Sequence, residues 1–543
     1  MKDLLILYNP YYQSNVIEEH LAVLKTHGQV AFGKVRSKLK DKFGNLGVQN
    51  ANFSLNLGTN SKQNLNFLTL VAIILQVLTK DNFFQGVSMS NSTKTAIVLV
   101  DIVLFIALLY VLPFETKVNQ GLAILVFIAV LWLTEALHTT VTAILIPVLA
   151  VATGLMSTKT ALHGFSDPTI FLFFGGFALA AAMHHQELDK IIAQRILLFA
   201  KGNFKLAVLY IFSITAFLSM WMSNTSTAAM MLPLAIGMLS QISFKESPTT
   251  YAFVLLGIAF SASIGGIGTL VGTPPNAILA ANLHITFAEW LKYGIPIVII
   301  FMPLMIAVLF FVLKPNLSYK VSINIDDKIA MTRQKWLTLG IFAFIALCWI
   351  FSAQLNPIFS EFLGLEKKMA SFDSVIAIFA AVLVCVFGVV SWKKLQDNTD
   401  WGVLMLFGGG ITLSVLLKDS GASKVMADAV ISLIQGGHLF LIGLVVAFFI
   451  VFLTEFTSNT ASAALLVPLF ISIADSLGAP PLGLALIIAI GASCAFMLPV
   501  ATPPNAIVFG TGYIKQSQMI KVGIWLNIFC AIIIATLAYF FWL

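Results

Sequence analysis

From about residue 95 onward, long apolar stretches alternate with short polar breaks, and none of the stretches shows the period-2 alternation of a half-buried strand. Runs such as Ala96–Pro113, Gly121–Leu137, Leu291–Leu313, Trp336–Phe351 and Ile520–Leu543 approach or reach the roughly 17–25 residues with which a helix crosses a bilayer. The pattern predicts an all-α integral membrane protein, and the missing alternation argues against a membrane β-barrel.

Two of the most apolar stretches are interrupted by the same uncharged tripeptide. "MWMSNTSTAAMMLP" covers Met220–Pro233, and "EFTSNTASAALLVP" covers Glu455–Pro468. The coincidence is part of a duplication. "DPTIFLFFGG" (167–176) returns as "DWGVLMLFGG" (400–409) at an offset of 233, Ser-Asn-Thr returns at 235, and "GTPPNAI" (272–278) returns as "ATPPNAI" (501–507) at 229. Three motifs in one order at nearly constant spacing predict two structural repeats, about 160–314 and 395–543, of the kind that transporters build around a shared site.

Composition agrees with a membrane chain: of 543 residues, 59% are hydrophobic and 10% are charged, against about 25% charged in soluble domains. The net charge of +7 sits at the N-terminus, where residues 1–95 hold 10 Lys and Arg against 5 Asp and Glu, leaving 21 against 19 for the rest. A basic segment ahead of the first span is expected to stay in the cytoplasm, which places the N-terminus inside an inner membrane and makes nucleic-acid binding the weaker reading. Residues 1–95 are thus read as a basic cytoplasmic appendage without an assigned role, and 96–543 as the transporter domain. The apolar run 66–79 is short for a span and is expected to lie at the interface or be buried, and "MKDLLILYNP" is too briefly apolar for a signal peptide. Cys348, Cys385, Cys494 and Cys530 have neither disulfide nor zinc spacing and read as packing residues. The pair His184-His185 is expected to have no metal or catalytic role.

Loop charge decides how each repeat is threaded. Loop 314–335 carries Lys314, Lys320, Lys328, Arg333 and Lys335, and the stretch 190–205 carries Lys190, Arg195, Lys201 and Lys205, so both are expected in the cytoplasm. Were 204–240 to cross completely, the helices at 251–283 and 291–314 would deliver loop 314–335 to the outside. A re-entrant hairpin turning at Ser-Asn-Thr removes the conflict. Continued counting puts Lys393 and Lys394 inside and makes 437–475 a second hairpin, entering from outside. The expected architecture is eleven spanning segments plus two oppositely directed hairpins, an inverted repeat.

Non-helical backbone at a hairpin tip is tolerated in a membrane only where protein or a water-filled cavity surrounds it, so both tips should face one polar site. Ser-Asn-Thr offers hydroxyls, amides and carbonyls beside the N-terminal end of the returning helix, whose free N–H groups and partial positive charge suit an anion. The same oxygens can ligate a hard cation such as Na⁺. Thr-Pro-Pro-Asn cannot continue a helix, because proline lacks an N–H and clashes with the preceding turn. Each such stretch is therefore read as a broken helix that completes what a tip begins. No Lys or Arg lies between Leu206 and Gly237, between Tyr251 and Glu289, or between Leu439 and Tyr513. A dianion entering such a site needs compensation, and bound cations are the natural source. Glu135 and Glu455 are intramembrane carboxylates and functional candidates by default; the reading preferred here is that each fixes neighbouring backbone.

With two Ser-Asn-Thr motifs, each followed by Thr-Pro-Pro-Asn, and with "LPFE" and "LWLTEALH" near the first spans, the chain resembles the divalent anion:sodium symporter family of di- and tricarboxylate carriers over about residues 95–543. The resemblance implies an elevator-type homodimer in which sodium ions and a carboxylate share the site between tips and broken helices. Carried over by motif, one Na⁺ site would use Ser219, Ser223, Asn224 and Gly272, and the other Thr454, Ser458, Asn459 and Ala501. The substrate would meet Asn224, Thr225, Asn459, Thr460, Thr502 and Pro503, with Thr273 and Pro274. Ser226 and Ser462 depart from the commoner pattern, and residues 1–95 have no counterpart. The implied function is Na⁺-coupled symport of a C4-dicarboxylate such as succinate, with Na⁺ as the co-transported ion and no organic cofactor. Its alternatives are sodium-independent dicarboxylate exchange, or citrate or sulfate as substrate. A membrane enzyme would need a nucleophile–base pair or a metal cluster, and the sequence offers neither.

The threading has a consequence that needs no substrate. After replacement of the four native cysteines, single cysteines in loop 314–335 should be shielded from an impermeant thiol reagent in intact cells, whereas one near Glu366 should react. Labelling of 314–335 from outside would remove the re-entrant hairpin.

Overall fold

The computed structural model describes residues 90–320, 330–434 and 439–543. The N-terminal appendage, with its run at 66–79, lies outside the described residues apart from its last few, and residues 321–329 of the basic loop lie outside them too. Helix α1 (Asn91–Val111) is followed by α2 (Thr116–Thr134), α3 (Thr139–Ala152), α4 (Thr158–His163), α5 (Pro168–His185) and α6 (Leu188–Leu198). Next come the paired α7 (Phe204–Ser219) and α8 (Asn224–Leu239), the interrupted α9 (Pro248–Gly266) and α10 (Pro274–Leu283), and the long α11 (Phe287–Leu313). The second half holds α12 (Arg333–Ile350), α13 (Ser352–Phe362), α14 (Phe372–Val386), α15 (Trp392–Asn398), α16 (Trp401–Ser420) and α17 (Ala422–Ile434). It closes with the pair α18 (Leu439–Leu453) and α19 (Asn459–Leu477), the interrupted α20 (Pro481–Gly491) and α21 (Pro503–Phe509), and α22 (Gln516–Leu537). Among the described residues the β-structure is an isolated bridge between Asn203 and Lys320.

The second series repeats the first. Helices α3 to α11 correspond one for one to α14 to α22, with first residues displaced by 233 at α3/α14 and by 229 at α11/α22. Both predicted hairpins and both broken helices are present. Nine helices among the described residues are long and apolar enough to cross a membrane. One of them is α19, the returning arm of the second hairpin, so length does not separate an arm from a span. Setting α19 aside and adding the short α3 and α14 and the jointed α20–α21 gives eleven segments that can cross.

Packing sorts these elements into two groups, α1–α5 with α12–α16, and α7–α11 with α18–α22, with α6 and α17 carrying the chain between them. In each group the repeats interlock. Helix α14 packs chiefly on α5 and α16 on α3, while α10 packs on α19 and α21 on α8 and α9. Each repeat's share of the site is therefore packed against helices of the other. Helix α9 is apolar on every side, and each residue from Thr250 to Gly266 is buried, as expected of a helix surrounded by others. Helix α1 is the opposite case, leaving Val100, Val103 and Tyr110 exposed, which suits contact with lipid.

Glycines in the duplicated Phe-Gly-Gly motifs permit the cross-repeat packing. A Cβ on Gly175 would stand 2.3 Å from the Ala377 carbonyl oxygen, and one on Gly409 would stand 2.5 Å from that of Ala143. Gly175→Ala should therefore cost roughly 1–3 kcal/mol by overpacking, read as a lower midpoint of thermal unfolding in detergent. Gly237→Ala, with nothing within 4 Å of the added methyl, should not lower it.

Candidate functional site

Each hairpin tip is made by the same local chemistry. Helix α7 ends at Ser219, four residues turn, and Ser223 caps α8 by accepting from the Ser226 N–H at 3.2 Å. Asn224 and Thr225 are then the first helical residues, the positions whose N–H groups have no partner within the helix. In the second hairpin Ser458 caps α19 and accepts from the Ala461 N–H at 3.4 Å.

Behind each tip lies a matching triad. Ser219 Oγ is 2.6 Å from Asn224 Oδ1 and 2.7 Å from the Ala262 carbonyl oxygen. Thr454 Oγ1 is 2.6 Å from Asn459 Oδ1 and 2.9 Å from the Ala492 carbonyl oxygen. A hydroxyl has one proton to donate. When that proton goes to the carbonyl, the hydroxyl and amide oxygens both present lone pairs, the donor set that a hard cation takes. The triads also lie where α7 and α9, or α18 and α20, terminate, and helix C-termini carry partial negative charge. The residues fit Na⁺.

The broken helices stop where the prolines require. Between Gly266 and Pro274, and between Gly491 and Pro503, the chain leaves the helix, and each second half begins with two prolines at its first turn, where their missing N–H groups cost nothing. The last residue of each Thr-Pro-Pro-Asn motif faces away from the cavity and holds the break together. Asn276 Nδ2 donates to the carbonyls of Gly266 (3.0 Å) and Thr269 (2.7 Å), and Asn505 Nδ2 to those of Ala495 (3.0 Å) and Leu498 (3.1 Å).

Tips and breaks meet on a cavity of about 1150 Å³ between the two helical groups. Ser223, Asn224, Thr225, Gly272, Thr273 and Pro274 line it from the first repeat, and Ser458, Asn459, Thr460, Ala501, Thr502 and Pro503 from the second. Ser219 and Thr454 are fully buried behind the tips. The opposite wall contributes Phe173, Phe177 and His184 from α5, the stretch Asp397–Trp401, and Glu135. Sequence reasoning did not place these wall residues at the site. The available signal was that α5 and α16 carry one of the three duplicated motifs.

The two intramembrane carboxylates separate here. Glu455 is fully buried and accepts four hydrogen bonds, three of them from the backbone N–H groups of Phe496, Met497 and Leu498, as the backbone-fixing reading expects. Glu135 is instead exposed on the cavity wall, in a left-handed conformation with φ of 49°. His184 is held on the same wall by Asp189, whose Oδ2 is 2.8 Å from Nδ1. Among the described residues neither Lys nor Arg lines the cavity.

The model of the family described as "sodium:sulfate symporter transmembrane region" matches residues 85–543. A protein of Haemophilus influenzae named as an uncharacterized transporter is 64% identical over 456 residues, covering 84% of this chain and 99% of its own. The sodium-dependent dicarboxylate transporter SdcS of Staphylococcus saprophyticus is 32% identical over 451 residues, covering 77% of this chain and 85% of its own. Among solved structures, the YdaH transporter of Alcanivorax borkumensis superposes with a TM-score of 0.53 over 75% of this chain and 99% of its own at 14% identity, a likeness of fold. With its duplicated hairpins and broken helices meeting on one cavity, this multi-pass membrane protein belongs to the sodium:sulfate symporter family of transporters.

Proposed function

We propose that the protein is a secondary transporter that couples the inward flow of Na⁺ to uptake of a C4-dicarboxylate such as succinate across the cytoplasmic membrane. The observation that carries this reading is the pair of hydroxyl–amide–carbonyl triads behind two anion-suited helix ends on one cavity that, among the described residues, no Lys or Arg lines. A dianion there presents about two negative charges to a low-dielectric site, where charge interactions are several-fold stronger than in water. Cations bound at the triads would neutralise it, so ion and anion would travel together. The name of the relative SdcS supports both halves of the reading.

In this reading Asn224, Thr225, Asn459, Thr460, Thr502 and Pro503, with Thr273 and Pro274, hold the carboxylates. One cation is held by Ser219, Ser223, Asn224 and Gly272, and the other by Thr454, Ser458, Asn459 and Ala501. The hairpin-bearing group would move as an elevator against the other group, through which two copies would pair, and the basic N-terminal segment would lie in the cytoplasm. Sulfate, which the family description names, is the second reading. Phe173, Phe177 and Phe456 on the wall favour a ligand with a carbon skeleton, since sulfate has no apolar surface to bury there. Sodium-independent exchange stays the alternative mode.

In proteoliposomes of the purified protein, labelled succinate should accumulate under an inward Na⁺ gradient and much less when K⁺ or choline replaces Na⁺. Ser219→Ala and Thr454→Ala should each raise the Na⁺ concentration for half-maximal uptake. Uptake indifferent to Na⁺ but dependent on dicarboxylate preloaded inside would favour the exchanger, and movement of sulfate alone would favour the second reading.

Room for the first triad comes from a missing side chain: a Cβ on Gly266 would stand 2.5 Å from Asn224 Oδ1. Gly266→Ala should displace that oxygen and raise the half-maximal Na⁺ concentration by about tenfold, an effect on the scale of an overpacked contact. Unchanged Na⁺ dependence would separate Asn224 Oδ1 from the cation.

A further inference from the structure

We infer that the two cation sites are unequal: the one at the second hairpin binds Na⁺ more tightly and fills first, because Glu455 places a negative charge behind it. The inference rests on the sodium reading above. It begins from a break in the duplication. Position 455 corresponds to Met220 at the offset of 235 that relates the two Ser-Asn-Thr motifs, so one tip has a carboxylate where the other has a thioether. Across Leu206–Gly237, Tyr251–Ala288, Leu439–Ala474 and Pro481–Tyr513, which hold all four motifs, Glu455 is the single Asp, Glu, Lys or Arg.

The hydrogen-bond partners of Glu455 are those of an ionised carboxylate, and they act against the burial that opposes its charge. Oε1 accepts from the N–H groups of Phe496 (2.7 Å) and Met497 (2.9 Å) and from Asn527 Nδ2 (2.6 Å), and Oε2 accepts from the N–H of Leu498 (3.0 Å). Four donors and no acceptor converge on an acceptor-only group. Its charge has no counter-ion among the described ion pairs, which join His184 to Asp189, Lys190 to Glu187 and Lys393 to Asp397. A buried charge without a partner is costly, and its chain neighbour Thr454 belongs to the second triad, where a cation would offset it. In the first repeat the same loop-holding task is done without charge: Thr269 Oγ1 donates to the Met220 carbonyl, and Trp290 Nε1 donates to that of Ile267 at 2.9 Å. The geometry is duplicated, but the electrostatics are not. Glu455 is a positioning residue for the broken helix and also supplies the second site with its charge.

Equilibrium binding of radioactive Na⁺ to the purified full-length chain tests this. Ser219→Ala, which leaves the second site, should keep the tighter class of sites, and Thr454→Ala, which leaves the first, should keep only the weaker. Glu455→Gln should weaken the tighter class by about tenfold or more, given the strength of a unit charge in a low-dielectric site. In a double-mutant cycle it should act fully on the Ser219→Ala background and add nothing to Thr454→Ala. Asn527→Ala removes one donor but keeps the charge, so it should lower the unfolding temperature while weakening Na⁺ binding much less than Glu455→Gln does. The inference is overturned if Thr454→Ala retains the tighter class, if Glu455→Gln acts equally on both backgrounds, or if Asn527→Ala weakens Na⁺ binding as much as Glu455→Gln. Should Glu455→Gln fail to fold, the comparison of Ser219→Ala with Thr454→Ala still decides which site is tighter. A wild-type chain that binds no Na⁺ would remove the sodium reading itself, an outcome distinct from sodium binding in the wrong order.

Discussion

A helix that stops inside a bilayer leaves N–H and C=O groups with no water to bond, and each is expensive unless the protein supplies a partner. The chain meets this demand four times, at two tips and two breaks. Ser223 and Ser458 cap the returning arms. Asn276 and Asn505 collect the carbonyls released where the helices break. Because these partners are supplied from the same short motifs, the irregular backbone holds its shape without lysine or arginine, and the cavity keeps a surface of amides, hydroxyls and helix ends.

That surface sets the electrostatic character of the site. Helix N-termini at Asn224 and Asn459 offer partial positive charge, and the ends of α7, α9, α18 and α20 offer partial negative charge a few residues away. Opposite partial charges side by side suit an ion pair better than a lone anion. The formal charges on the cavity wall point the same way, since Glu135 and Asp400 are acidic, Asp397 is paired with Lys393, and His184 is already engaged by Asp189. An anion in a cavity with such a wall would gain more from accompanying cations than it would in a basic funnel.

Interlocking of the repeats explains how so irregular a centre stays rigid. Helix α10 lies on α19, and α21 lies on α8 and α9, so each tip is braced by the broken helix of the other repeat. Phe260 of α9 and Phe496 of the second break meet edge to face at 5.0 Å. Helix α5 forms the layer against which this assembly sits. Phe173 and His184 line the site cavity, and the other end of α5, from Asp167 to Leu172, lines a second cavity of about 890 Å³ between the same two groups. Between them Gly176 meets Val271, where an added Cβ would stand 2.8 Å from the valine side chain.

The sequence by itself determined the helical class, both hairpins, both breaks and the duplication. These follow from local chemistry that leaves the chain no choice: proline cannot continue a helix, serine before Asn-Thr caps one, and long apolar runs need lipid or burial. It also named the residues that line the cavity from the hairpin-bearing group, because they sit within the motifs. It did not place Phe173, His184, Asp397, Asp400 or Glu135 at the same cavity, since they come from helices whose neighbours are set by packing across repeats at separations above two hundred residues. Tertiary structure alone also separated two carboxylates that read alike in sequence. Glu455 is buried because loop 496–498 and Asn527 fold over it, whereas Glu135 is exposed on the cavity wall. Which groups surround a side chain is a property of the closed fold, and local sequence carries no record of it.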